Sequence, residues 1–427
     1  MTIAVFVGSL LGAMALGIPI AFSLLLCGVA LMFYLGTFDT SIIAQNLING
    51  VDNFSLMAIP FFILAGELMN AGGISKRIVN LALSLVGHIR GSLGYVVIIG
   101  SVLFAGLSGS AVADTAALGA ILIPMMVKAG YDRNRASGLV AGSGIIAPII
   151  PPSIPMILYG VTANVSITKL FLGGIAPGLL MAVGLAVCWW WLSRSGTYQV
   201  YPRKSFKEIF GTFLDSIWAL LLPIFIIVGM RGGVFTITES AVMAAFYALV
   251  VGLFIYRELK LEQMFDVLLS AAKTTSIVLF LTAAAMVSAW QITIANIPAE
   301  VASMLGPFIE HKTLLLLIIM VIVFLVGTAM DLTPTILILT PVLMPIIHAA
   351  GIDPVYFGIL YVLNNCIGLL TPPVGTVLNV AASVGKTNME GIMKGVWPFL
   401  WVHVVILLLL VLFPQIVTVP LELLYNK

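Results

Sequence analysis

The chain has 427 residues, of which 61% are hydrophobic and only 8% are charged. A water-soluble protein of this size needs more charge to cover its surface, so the composition indicates a polytopic membrane protein. A net charge of +2 without any basic run gives no sign of nucleic-acid binding. The three cysteines lie in apolar segments at unrelated spacings, which excludes a recognisable disulfide set or metal motif.

Apolar segments open the chain and are followed by an amphipathic one. Segment 2–36 is long enough for two short crossings hinged near Gly17-Ile18-Pro19, and segment 54–72 for one more, because a crossing needs ~20 residues. Segment 74–90 carries basic residues at helical spacing among apolar ones, which predicts an arm lying along the cytoplasmic membrane surface. Segment 297–310 predicts a second arm on the outer surface.

Two segments, 91–127 and 313–347, are too long for one crossing and are polar at the middle. Each predicts a re-entrant hairpin, made of two half-length helices that return to the same side. Two ordinary crossings joined by a tight turn are the alternative, since arms of ~15 residues can span a thin membrane. Both tips are rich in glycine and hydroxyl groups, and each holds the only acid of its hairpin, Asp114 or Asp331.

Two further segments, 134–165 and 354–385, contain paired prolines where a transmembrane helix is expected. Proline breaks helices, and irregular backbone at membrane depth is tolerated where it is buried in protein or lines a watery cavity. Each break frees carbonyl oxygens that can coordinate a cation and amides that can face an anion. A proline kink that serves packing alone is the alternative, but Pro-Pro in both segments disfavours it. The two broken helices are therefore predicted to line a binding site.

The same pattern of Gly, Pro and Asp residues recurs at an offset of 221 residues, which pairs Pro151-Pro152 with Pro372-Pro373. The offset divides an all-α membrane protein into two repeats, 1–205 and 206–427, each with five crossings, one hairpin and one broken helix. Because five is odd, the second repeat enters the membrane from the opposite side, as in inverted-repeat transporters. Segment 195–208 is predicted to be the cytoplasmic link between them. With the hairpins counted as non-crossing, fifteen of the nineteen Lys and Arg residues fall on one face, which identifies that face as cytoplasmic.

The repeat predicts two Na⁺ sites, one in each half, because hydroxyl groups and freed carbonyls are hard oxygen donors of low charge. The first site is predicted to draw on Ser108, Ser110, Ser143, Gly144 and Pro148. The second is predicted to draw on Gly327, Met330, Asp331, Thr333, Asn364 and Thr371, partly through backbone oxygens. An anionic substrate is expected to contact Ser108, Gly109, Pro152 and Ser153, where amides of a half-helix face an anion. Asp114, which supports the first hairpin tip, and Asp331 each either bind the ion or cap the second arm of their hairpin.

Three motifs resemble those of the large membrane subunit of tripartite ATP-independent periplasmic (TRAP) transporters. They are Ser-Gly-Ser-x-x-Ala-Asp-Thr at 108–115, Ala-Pro-x-x-Pro-Pro-Ser at 147–153 and Thr-Pro-Pro-Val-Gly at 371–375. The resemblance spans essentially the whole chain. It implies a Na⁺-driven importer of a small carboxylate in the bacterial inner membrane, working by an elevator mechanism. Sialic acid is the first expected substrate, and a C4-dicarboxylate or a keto acid is the next. The family also implies two partners besides the lipid bilayer, namely a small four-helix membrane subunit and a soluble periplasmic binding protein.

Two other classes of protein stay open at this point. A stand-alone ion-coupled anion carrier of the same broad fold would need no partner subunit. An integral-membrane enzyme would need clustered acids or histidines at the membrane face, and the sequence has no such cluster, so no enzymatic activity is expected. Nucleotide-driven transport by this chain is excluded because it contains no phosphate-binding G-x-x-x-x-G-K-[ST] motif.

Overall fold

The computed structural model describes residues 1–194, 196, 198 and 200–425, and all regular structure in these ranges is helical. Nine of the described helices are long and apolar enough to cross a bilayer. The predicted all-α membrane fold is therefore confirmed. The helices of the first 200 residues are α1 Thr2–Ala15, α2 Ile20–Leu35, α3 Thr40–Asn49, α4 Ala58–Ala71, α5 Ile74–Val86, α6 Ser92–Ser108, α7 Ala111–Lys128, α8 Arg133–Gly144, α9 Ile154–Thr162 and α10 Ile167–Ser193. The others are α11 Phe206–Arg231, α12 Ile237–Val250, α13 Leu261–Ile294, α14 Ile297–Leu305, α15 Lys312–Ala329, α16 Leu332–Ala349, α17 Pro354–Gly368, α18 Thr376–Gly385, α19 Met389–Leu412 and α20 Gln415–Tyr425.

The helix interruptions fall where glycine, hydroxyl residues and proline concentrate in the sequence. Only Gly109 and Ser110 separate α6 from α7, and only Met330 and Asp331 separate α15 from α16. Long non-helical stretches separate α8 from α9 and α17 from α18, at the two Pro-Pro pairs. Aspartates that the 221-residue offset pairs cap both broken helices: Asp132 accepts from the amide of Arg135 at 2.8 Å and Asp353 from that of Tyr356 at 2.7 Å. Helix bounds do not orient helices across a bilayer, so the inverted repeat and its division at residue 205 stay predictions.

Several helix bounds differ from the apolar segments. The uncharged run 274–296 predicts one crossing, but helix α13 begins earlier, at Leu261, because its charged first turns continue the helix beyond the bilayer. The uncharged run 396–421 also predicts one crossing, but it contains two helices, because Pro414 has no N–H to continue α19. Helix α3 has no counterpart among the predicted elements and begins at the N-cap Asp39. The predicted link at 195–208 includes residues 195, 197 and 199, which lie outside the described part of the chain.

A scaffold forms around α2, α4, α5 and α11 to α13. The hydroxyl of Ser288 on α13 donates to the carbonyl of Leu24 on α2 at 2.6 Å, which pins these two helices together inside the apolar core. The guanidinium of Arg77 on the arm α5 pairs with Glu258 at 2.7 Å and stacks 3.8 Å over the ring of Tyr256. The arm is thus fixed to the loop between α12 and α13.

The hairpins and broken helices of both halves interlock into a second body. The hydroxyl of Tyr159 on α9 donates to the carbonyl of Pro354 at 2.8 Å, and Arg133 donates to the carbonyl of Gly385 at 3.1 Å. Tyr159 and Tyr361 also pack ring against ring, 5.9 Å apart between centroids. These contacts link the first half to the second, and the side chains of Tyr159 and Tyr361 are fully buried, so the hairpins and broken helices of both halves form one packed body.

Candidate functional site

One cavity of about 460 Å³ lies where the two hairpin tips meet the scaffold. The first tip contributes Ser108 to Ala113, and the second contributes Asp331 to Thr333. The broken helices add Pro148, Ile154, Pro155, Leu369 and Val380, and the scaffold helices α4 and α13 form the opposite wall. The fold therefore gathers in one place the tips and breaks that are far apart in the sequence.

The first tip packs directly on the first break. Gly109 has a left-handed backbone, with φ at +60°, and a Cβ placed there would overlap the carbonyl oxygen of Pro152 and lie 3.1 Å from the Cα of Ser153. Only glycine allows this approach without a clash. Ser110 is the N-cap of α7, accepting from the amide of Ala113 at 3.4 Å. The tip and the break of the first half are thus held together by backbone contact.

Three buried oxygens near the first break have no hydrogen-bond partner among the described residues. They are Oδ2 of Asp114, Oγ1 of Thr115 and Oγ of Ser143. Oδ1 of Asp114 accepts from Ser108, so Asp114 supports the tip and does not cap α7. A Cβ at Gly144 would overlap the hydroxyl of Thr115, which brings the end of α8 against the first turn of α7. Buried oxygens are rarely left without a partner, so this group fits the coordination of a small hard cation.

The second half has an equivalent but chemically different arrangement. Asp331 occupies the N-cap position of α16, yet its side chain makes no capping bond; Oδ1 accepts from the hydroxyl of Thr376 at 3.2 Å instead. Asp331 therefore stands at the cap position without a capping hydrogen bond from its side chain. Both side-chain atoms of the amide of Asn365 are buried without a partner, and its oxygen would lie 2.7 Å from a Cβ added at Gly327. Tip and break again leave buried polar atoms unpaired.

The other predicted ligands of the second site are nearby but engaged elsewhere. The side chain of Asn364 donates to the carbonyl of Met320 at 2.6 Å, and the hydroxyl of Thr371 donates to the carbonyl of Ile367 at 3.1 Å. Thr333 lines the cavity, whereas Met330 and Gly327 are buried beside it. A backbone oxygen is the only contribution that Met330 and Gly327 offer to an ion.

The four residues predicted to contact substrate fall into two pairs. Ser108 and Gly109 line the cavity, but Pro152 and Ser153 are fully covered and do not. The hydroxyl of Ser153 donates to the carbonyl of Pro148 at 2.5 Å and accepts from the amide of Met156 at 3.2 Å, so it caps α9. The first residue of α9, Ile154, reaches the cavity instead.

Three helix N-termini converge on the cavity, those of α7, α9 and α16. The first amides of a helix have no partner within it and carry partial positive charge, so such ends attract anions. None of the described residues that line the cavity is Lys, Arg or His, and two of them, Glu67 and Asp331, are acids. The site thus offers backbone dipoles for an anion and carboxylates for a cation.

The scaffold wall and two side-chain contacts were not predicted from the sequence. Glu67, Asn70 and Thr274 line the cavity, although Glu67 reads from sequence as an ordinary helix-end residue. The signal was present, because an acid inside an apolar segment is a functional candidate. His403 on α19 is fully buried and lies 2.9 Å through Nε2 from the carbonyl of Gly142, beside the first break. No spacing of residues in the sequence predicts this contact or the one between Thr376 and Asp331.

The chain is similar to known transporter proteins over almost its whole length. Residues 7–416 match the family model described as "Tripartite ATP-independent periplasmic transporter, DctM component". The chain belongs to this family. It is 53% identical over 422 residues to the 2,3-diketo-L-gulonate TRAP transporter large permease protein YiaN of Escherichia coli (strain K12), covering 99% of each chain. It is 39% identical over 412 residues to the sialic acid TRAP transporter large permease protein SiaM of Vibrio cholerae, covering 96% of each.

Among solved structures, the crystal structure of the Alcanivorax borkumensis YdaH transporter, described as having an unusual topology, matches with a TM-score of 0.60. It shares 18% sequence identity and covers 91% of this chain and 90% of that one, so the likeness concerns the fold alone. Family membership confirms that the chain is a transporter subunit and not an enzyme. This TRAP large permease is a multi-pass protein of the bacterial inner membrane and one component of a tripartite system.

Proposed function

We propose that this TRAP large permease imports an organic carboxylate together with Na⁺, and that the cavity between the hairpin tips is its transport site. The observation that carries the proposal is the convergence of three helix N-termini on a cavity none of whose described lining residues is basic. A carboxylate there is stabilised by backbone amides and helix dipoles. Backbone amides and helix dipoles carry no net charge. They can therefore bind an anion without leaving an unpaired basic side chain in the site after the anion has left.

Na⁺ coupling is supported by the charge balance of the same cavity. Asp331 and Glu67 already contribute negative groups, and a substrate carboxylate adds another. Like charges in a partly desolvated site repel one another by several kcal/mol, ~4 kcal/mol at a separation of 4 Å and an effective dielectric constant of 20. Because no described lining residue is basic, the compensating cations must come from solution.

The residues fit two Na⁺ ions, one per half. In the first half, Asp114, Thr115 and Ser143 present buried oxygens without partners beside Gly144. In the second, Asn365 does so beside Gly327, and Asp331 is within reach of the break through Thr376. A bound ion would neutralise the carboxylates and order each tip against its break. We therefore add Thr115 and Asn365 to the Na⁺ ligands that were predicted from the sequence.

The elevator mechanism is supported by the division into two bodies. The hairpins and broken helices are tied to one another across the halves, whereas the arm α5 is tied to the scaffold through Arg77 and Glu258. We infer that the interlocked body carries the cavity across the membrane while the scaffold stays in place. The periplasmic binding protein delivers the substrate, and the small four-helix subunit enlarges the scaffold in the bilayer.

We rank the candidate carboxylates by how similar this chain is to relatives named for each of them. The ranking differs from the one expected from the sequence, which placed sialic acid first. The relative at 53% identity is named for 2,3-diketo-L-gulonate and the one at 39% for sialic acid. A keto sugar acid therefore ranks first, sialic acid second and a C4-dicarboxylate third.

Uptake into proteoliposomes that contain all three components tests the proposal. We expect 2,3-diketo-L-gulonate uptake to follow an inward Na⁺ gradient, with a Hill coefficient for Na⁺ of about two, because each half supplies one site. A proton gradient in Na⁺-free buffer should drive none. Equal uptake under the proton gradient would exclude Na⁺ coupling. A Hill coefficient near one that Ser143→Ala and Asn365→Ala both leave unchanged would exclude the two-site arrangement.

Replacing Ser108 with Ala should raise the KM for the carboxylate about ten- to a hundred-fold, because a hydrogen bond to a charged group contributes ~1.5–3 kcal/mol. The Ser108 hydroxyl donates to Asp114 in this structure, and we expect it to turn to the carboxylate when substrate binds. Ser108 lines the cavity and bonds to Asp114, so the same change also loosens the tip. Ser9→Ala is a matched control, since Ser9 on α1 bonds only to its own helix. Initial uptake rates over a range of substrate concentrations measure both. An unchanged KM in Ser108→Ala would remove Ser108 from the substrate site.

A further inference from the structure

The wall of the cavity opposite the tips is built by scaffold residues. Glu67 and Asn70 lie on α4, and Thr274 lies on α13. The wall is close to the first tip, because a Cβ added at Gly66, next to Glu67, would lie 3.7 Å from the Cα of Ser108. All these residues line one cavity of about 460 Å³, so a six-carbon substrate whose carboxylate lies at the helix N-termini also reaches the wall.

The free hydrogen-bonding atoms of the wall are of mixed kind. Oε1 of Glu67 accepts from Ser270 at 3.0 Å, which fixes the carboxylate and leaves Oε2 as an acceptor. Oδ1 of Asn70 accepts from Ser75 at 3.0 Å, which leaves its NH₂ group as a donor. The hydroxyl of Thr274 makes no hydrogen bond with any described residue and can donate or accept. Hydroxyl groups of a ligand both donate and accept, so they can pair with every one of these atoms.

A second carboxylate does not fit the same wall. A carboxylate only accepts hydrogen bonds, so it cannot pair with Oε2 of Glu67, and it would meet a like charge there. The two proposed Na⁺ ions lie between the tips and the breaks, and no Lys, Arg or His among the described lining residues offsets that repulsion at the wall. Ile63, Ile277 and Val278 line the same wall and can pack against the carbon atoms of any ligand. An unsubstituted alkyl chain would in addition bury the polar atoms of the wall without partners, which disfavours it relative to a hydroxylated chain.

We propose that Glu67, Asn70 and Thr274 form a specificity site for substrate hydroxyl groups, so that the cargo is a polyhydroxylated monocarboxylate, a sugar acid, and not a dicarboxylate. This inference rests on the proposed function of the cavity and adds the class of substrate. The tips and breaks bind the carboxylate that all candidate substrates share. The scaffold wall selects among them by what lies at the other end.

Equilibrium binding to the complex of this chain with its small membrane subunit, in lipid nanodiscs with Na⁺, tests the inference. The binding protein is omitted because it has a selectivity of its own. The probes are 2,3-diketo-L-gulonate, L-gulonate and D-gluconate as sugar acids, hexanoate as a six-carbon monocarboxylate without hydroxyls, and succinate as a dicarboxylate. We expect the best sugar acid to bind at least about tenfold more tightly than hexanoate or succinate, the effect of one or two hydrogen bonds.

Two variants of Glu67 separate its charge from its hydrogen bonding. Glu67→Ala should weaken sugar-acid binding about tenfold and leave hexanoate unaffected. Glu67→Gln keeps hydrogen-bonding atoms but removes the charge, so it should change sugar-acid binding by less than about threefold and strengthen succinate binding. Glu262→Ala on the exposed start of α13 is the matched control and should change nothing.

The outcomes distinguish failure of the specificity site from failure of the proposed function of the cavity. Binding of succinate or hexanoate as tight as that of every sugar acid, or a Glu67→Ala variant that keeps full discrimination, would overturn the inference alone. Failure of all five probes to bind in the presence of Na⁺ would overturn the proposed function of the cavity and the inference with it.

Discussion

Replacing Asp331 with Asn is expected to raise the Na⁺ concentration for half-maximal uptake by about tenfold or more. The carboxylate of Asp331 lies at the cavity and accepts a hydrogen bond from Thr376 at the start of α18, so it joins the second tip to the second break. A unit charge near a bound cation contributes up to ~4 kcal/mol at an effective dielectric constant of 20, and about a third of that figure already corresponds to tenfold. Na⁺ titrations of uptake by the reconstituted transporter measure the effect.

The control for Asp331→Asn uses another aspartate at an N-cap. Asp39 begins α3 and accepts from the amide of Ser41 at 2.7 Å on an exposed surface. Asn also caps helices well, so Asp39→Asn should leave the Na⁺ dependence unchanged. Thr376→Val should raise the Na⁺ requirement less than Asp331→Asn, because it frees the carboxylate without removing its charge. A half-maximal concentration in Asp331→Asn within about twofold of the unmodified protein would falsify the ligand role.

The fold could be predicted from the sequence to the extent that its signals are local. Paired prolines, glycine-rich tips and runs without charge each depend on a few adjacent residues, and all the helix interruptions at these places are present. Helix ends that depend on weak helix propensity were harder to predict. The early start of α13 depends on polar turns that are helical because apolar turns follow them.

The site could be predicted only where the repeat provided a second copy of the signal. Ser108, Gly109 and Asp331 were found because tips and breaks recur at the same offset. Ser153 was placed correctly at the break, but its hydroxyl turns to Pro148, which depends on the path of the backbone through the prolines. Glu67 has a sequence signal of its own, as an acid inside an apolar segment, but only three-dimensional packing shows that it lines the cavity.

Replacing Gly109 with Ala is expected to reduce the maximal uptake rate at least about tenfold while the protein still inserts and folds. Two costs combine at this position. A side chain in the left-handed region is disfavoured by ~1 kcal/mol or more, and a Cβ here would overlap the carbonyl oxygen of Pro152. The overlap adds ~1–3 kcal/mol, as overpacking does in a filled core. The tip must then move away from the break, which opens the first ion site and displaces Ser108 from the cavity.

Gly130 provides the control that separates these two costs. Its φ is +89°, so alanine there is strained in the same way, but a Cβ would meet no atom within 4 Å. Gly130→Ala should therefore lower thermal stability slightly and leave transport intact, whereas Gly109→Ala should lose transport through the contact itself. Uptake rates and thermal unfolding of the two purified variants, measured side by side, give the comparison. Equal transport by both variants would mean that the approach of tip to break does not shape the site, and the first ion site would then have to be built without Gly109.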